Sequence, residues 1–136
     1  MNLMRRCLPE LLKADPKGAI VNMCSTAAVR GSAAGVAYTA SKHALLGLSR
    51  STAWSYAKEG IRCNAVIPGG VEDTQIMKGT DPAVFQSDGM MVTAPFQACL
   101  PGICKPADIA NAVLFLVTAP AVNGAELAVD HGWTVS

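Results

Sequence analysis

The chain is poor in charge. Only 15% of its 136 residues are charged, against 51% apolar, and the mean hydropathy is +0.31. An ordinary globular domain carries about 25% charged residues. The net charge of +1 supplies no basic field for nucleic acid and no acidic tail. No run of about 18 apolar residues occurs, so no membrane span is expected. No apolar run of signal length comes after Met1, which predicts a cytoplasmic protein. The five cysteines (Cys7, Cys24, Cys63, Cys99, Cys104) are odd in number and form no C-x-x-C pair, and only two His are present. Reduced thiols packed as small hydrophobes are expected, and structural zinc is not. Aromatics make up 5%, and no internal repeat appears. So little polar surface implies apolar faces that another subunit or further structure would cover.

What is present alternates between helix and strand. Residues 2–13 repeat Leu3, Met4, Cys7, Leu8, Leu11 and Leu12 on one helical face, with Pro9 predicting a kink or break. Asp15-Pro16-Lys17-Gly18 is a turn. Residues 19–24 form a short apolar run, predicting a strand buried on both faces of a parallel sheet. A Gly-punctuated loop at 26–35 leads to an Ala-rich helix predicted over Ala37–Lys58, with Gly60 as its C-cap. A second strand, 62–67, stops at Pro68-Gly69-Gly70. Residues 71–105 have no clear period and are expected to be a long functional loop. Pro106 opens a third helix through Leu116, Asn123-Gly124 makes a turn, and 126–130 is a last strand. This order predicts an α/β fold with parallel strands and right-handed crossovers, in one domain or part of one.

The chemistry gathers between Ser25 and Lys42. Ser25 comes directly after the first strand, at the carboxyl edge where open α/β sheets bind ligands. Tyr38 lies thirteen residues on, and Lys42 four after that. Positions four apart share a helical face. A cation beside a phenol favours the phenolate, which suits tyrosine to acid–base work near neutrality. Taken singly, each residue has a plainer reading: a capping serine, a half-buried aromatic, a solvated lysine. His43 falls on another face and reads as structural.

Ser25, Tyr38-x-x-x-Lys42, Asn64-x-x-x-Pro68-Gly69 and Val129-Asp130-x-Gly132 together resemble the short-chain dehydrogenase/reductases. The likeness runs the length of the chain and covers the carboxyl half of a usual member. It implies the later part of a Rossmann-type doubly wound parallel sheet. It also implies hydride exchange between NAD or NADP and a secondary alcohol or ketone. By that resemblance Tyr38 is the acid/base, Lys42 tunes it and bonds the nicotinamide ribose, and Ser25 holds the substrate oxygen. Pro68, Gly69 and Val71 match the turn against the nicotinamide. Asp73 stands where the family often has Thr, and Thr74 comes one later as a further cofactor contact. His131 replaces the middle residue of a usual Asp-Gly-Gly. The resemblance makes 71–105 the substrate loop. Met77, Phe85, Met90, Met91 and Phe96 there are either pocket lining or lid packing. It also predicts a homodimer or tetramer through helices 2–13 and 37–58.

The family's Gly-rich phosphate loop does not occur in these 136 residues. Weak or absent binding of NAD(P) by these residues alone is therefore expected. The alternative reading is an inactive fragment that acts at most as an association module.

Overall fold

The computed structural model describes residues 2–74 and 88–135. Three strands form a parallel sheet: β1 (Ala19–Met23), β2 (Arg62–Pro68) and β3 (Glu126–Val129), in that spatial order. Ala19 pairs with Arg62 at one end of the first ladder, and Ala65 with Glu126 at the start of the second. The described residues also form helices α1 (Asn2–Lys13), α2 (Val36–Ser55), α3 (Asp88–Ala98) and α4 (Pro106–Thr118), with a short 3₁₀ turn at Thr26–Ala28 and another at Trp133–Val135.

The central strand explains the core. Alternate residues of β2 point to opposite faces. Ala65 and Ile67 join Cys24, Ala28 and Leu46 on the α2 side, and Val66 joins Cys104, Ile109, Ala112 and Leu116 on the α4 side. Cys63, Asn64, Ala65 and Val66 are wholly buried. Asn64 belongs in that core because its amide is satisfied. It donates to the Val122 carbonyl at 2.9 Å and accepts from Ala125 N–H at 2.9 Å. These bonds hold the turn before β3 against β2. Arg62 adds three bonds, to the carbonyls of Leu116, Val117 and Val122, and so closes the end of α4.

Several expectations need correction. β1 is only partly buried, and Met23 is 44% exposed. Among the described residues β1 has one sheet neighbour, and the doubly covered strand is β2. Pro9 does not divide α1, which runs unbroken. It sits on the exposed side, where water can satisfy the carbonyl that proline leaves free. Helix α2 stops at Ser55, not Lys58. Gly60 does adopt a left-handed φ of +79°, but in the turn beyond the helix, just before β2. The segment 71–105 is not all loop, since α3 lies inside it. Cys24, Cys63 and Cys104 are buried, whereas Cys7 and Cys99 are exposed. No helix among the described residues is long and apolar enough to cross a membrane. No cluster among them could hold a metal ion.

Candidate active site

The carboxyl ends of the strands converge on one cavity of about 900 Å³. Parallel strands end at one edge of the sheet, so the residues just past each strand are brought together there. Ser25 lies past β1, Pro68 and Gly69 end β2, and α2 supplies Tyr38 and Lys42. All five line the cavity, as do Val71 and Thr74. Every sequence-predicted site residue thus falls on one wall system. Of the expected pocket side chains, Met77, Phe85 and the side chain of Met90 lie outside the described residues. Met91 is 71% exposed, and Phe96 stacks on Trp133.

Ser25 is extended, and its hydroxyl oxygen accepts the Ala27 N–H at 3.2 Å, capping the 3₁₀ turn. The capping and functional readings are therefore compatible, because the hydroxyl proton is still available for donation. Gly35 starts α2, and Thr39 ties the first turn to the preceding loop through the Ala34 carbonyl at 3.0 Å. Tyr38 thus sits in the first turn, 39% exposed toward the cavity. One turn on, the Lys42 ammonium lies 5.5 Å from the Tyr38 ring centroid. It also donates to the Met23 carbonyl at 2.9 Å. That bond fixes a flexible side chain to the end of β1, and an ammonium has further donors to offer. His43 is exposed and meets the Thr39 carbonyl through Nδ1 at 3.0 Å, in keeping with a structural role.

The turn after β2 is held from behind. Val71 forms a parallel bridge with Cys104, made by Glu72 N–H to the Cys104 carbonyl and Cys104 N–H to the Gly70 carbonyl. Val71's own N–H takes no part in that bridge and lies on its other side. Thr74 donates to the Val71 carbonyl at 3.2 Å. Asp73, directly before Thr74, has a φ of +58°. His131 is accommodated at φ +55°, a region that His enters more readily than most residues.

The buried thiols are not activated. Burial pushes the Cys24 thiol up, and Lys42 opposes this only in part. Burial, with Cys24 nearby, pushes Cys63 to about 11. Sequence reasoning missed Gln97 and Trp133, which also line the cavity. Trp133 carried a faint signal as one of two tryptophans in an aromatic-poor chain, and Gln97 carried none.

The residues present fit a nicotinamide cofactor. A cavity of this size, a lysine with spare donors and an unbridged Val71 N–H share one edge of the sheet. Residues 1–134 match a family model described as enoyl-(acyl carrier protein) reductase. The short chain dehydrogenase adrF of Penicillium rubens is 43% identical over 143 residues, covering 99% of this chain and 55% of that protein. A short chain dehydrogenase from Mycobacterium paratuberculosis, solved bound to NAD, superposes with a TM-score of 0.81 at 31% identity, over 95% of this chain and 49% of the other. ElxO with NADP bound gives 0.77 at 28%, over 98% and 52%. The chain spans about half the length of the curated relatives it matches.

Proposed function

Because the chain belongs to the short-chain dehydrogenase/reductase family, we propose that it contributes the proton-handling half of an NAD(P)-dependent oxidoreductase acting on a secondary alcohol or ketone. The observation that carries this reading is the placement of Ser25, Tyr38 and Lys42 on one cavity at the carboxyl edge of the sheet. Bound NAD or NADP supplies or accepts the hydride. Tyr38 gives its phenolic proton to the carbonyl oxygen in reduction, and takes the hydroxyl proton in oxidation. Lys42 keeps its ammonium near the Tyr38 ring and would bond the nicotinamide ribose of the cofactor. Ser25 donates its hydroxyl proton to the same oxygen and stabilises the charge that develops there. Pro68, Gly69, Val71 and Thr74 would hold the nicotinamide, with the Val71 N–H available to its carboxamide. The segment 71–105 sets the substrate. The mostly apolar wall of Ala33, Ala34, Ile109 and Val113 suits an uncharged one.

The test is Tyr38→Phe in the active protein. Turnover should fall by about 10²-fold or more, with NAD(P) affinity within about twofold. Retained turnover would sink the assignment.

A second reading concerns association. Trp54 on α2 is 86% exposed and Leu3 on α1 is 75% exposed, which favours a homo-oligomeric contact through these two helices. Sedimentation of the wild type against Trp54→Ser decides it. Equal masses for the two would remove the α2 part of that reading.

A further inference from the structure

Three segments meet on one side of the cavity and are tied in a closed ring. On α3, the Gln97 side-chain amide donates to the Ala33 carbonyl, in the loop after Ser25, at 2.7 Å. Beside it, the Phe96 ring stacks on Trp133 with centroids 4.4 Å apart and planes 21° from parallel. The Trp133 indole N–H donates to the Phe96 carbonyl at 3.0 Å. The turn that carries Trp133 then returns to the first loop, where the Arg30 guanidinium donates to the Thr134 carbonyl. Ala33, Gln97 and Trp133 all line the cavity.

Among the described residues, most side chains of helix α3 lie toward solvent. Met91 and Val92 are 71% and 77% exposed, and of its described side chains only Thr93 is fully buried. The ring is one of the contacts that hold α3, and Gln97 is its link to the loop after Ser25.

We propose that Gln97 is a positioning residue: its amide latches α3 to the loop after Ser25 and sets how far the pocket opens at Trp133. The role for substrate rests on the oxidoreductase reading, but the latch itself does not. Ala33 offers a carbonyl, so only a donor can answer it. A carboxylate of the same shape would set oxygen against oxygen and push α3 away.

The full chain tests this without turnover. Trp54→Phe leaves Trp133 as the single tryptophan of these 136 residues. Acrylamide quenching of its fluorescence then reads how open the cavity is. In that background Gln97→Glu should raise the quenching constant at least about twofold and shift emission to the red. Gln97→Lys keeps a donor and should stay close to the parent. Unchanged quenching in Gln97→Glu overturns the proposal, as does an equal rise in both variants. If Gln97→Glu loses its far-ultraviolet dichroism, Gln97→Met, similar in shape and without a donor, should show the same rise. A protein in which Tyr38→Phe keeps activity but Gln97→Glu opens the pocket would retain the latch and lose the catalytic reading.

Discussion

Lys42 serves two partners at once, lying 5.5 Å from the centroid of the Tyr38 ring while donating to the Met23 carbonyl. The second bond explains the first. Tied to the end of β1, the ammonium stays beside the phenol instead of sweeping through solvent.

That double role predicts an ordered series. In the active protein Lys42→Met should lower kcat by about 10²-fold or more, since the proposed site loses the cation held near the Tyr38 ring. Lys42→Arg keeps charge but not shape, and should fall between. A Lys42→Met enzyme within threefold of wild type would contradict the role given to this side chain.

Gly69 cannot be enlarged cheaply. A Cβ there would lie 2.9 Å from the Asp130 Cβ and 3.0 Å from its Cα, so backbone must move. Gly69→Ala should cost about 1–3 kcal/mol by overpacking, read as a lower denaturation midpoint in urea. Gly31→Ala, with open space around it, serves as the control.

Asp130 should make stability sensitive to acid. Burial pushes its carboxyl up, but bonds from the Thr134 hydroxyl and N–H and from the Gly132 N–H, with His131 nearby, outweigh that and hold it below the ordinary value. The ionised form is thus favoured in the fold. Its stabilisation is complete above the unfolded value of about 4 and is lost as pH falls through the lower folded value. Asp130→Asn should lose about 1–3 kcal/mol at pH 7. It should also show a shallower acid limb in thermal melts between pH 5 and 2.

The thiols should divide cleanly. At pH 7.5 iodoacetamide should label Cys7 and Cys99 within minutes, leaving Cys24, Cys63 and Cys104 unmodified until the chain unfolds. Peptide mass mapping reads this directly. Early labelling of Cys63 would mean that β2 opens far more readily than a central strand should.

The parts legible in the sequence were those with a local rule. Ser25, Tyr38 and Lys42 could be placed on one cavity because strand end, loop and helical spacing bring them together. The strands could be read because their apolar runs are short and sharply ended. Helix α3 could not, since its apolar residues have no helical period and Pro95 lies inside it. Gln97 and Arg30 escaped notice because both bond to backbone carbonyls, which any residue can provide. The partial burial of β1 depends on its neighbours in the sheet. Its own residues, nearly all apolar, read as covered on both sides.

The order of the sheet has a consequence in time. Each ladder joins distant positions, residue 19 with 62 and residue 65 with 126. Such pairings form slowly, because long stretches of chain must be closed before any contact repays the loss of freedom. During synthesis the stretch from Ser25 to Lys42 leaves the ribosome long before β3. The Asp130 turn that wedges against Gly69 is therefore delivered well after that stretch. Tyr38 and Lys42 find their helix early, but the cavity they serve closes only when β3 docks.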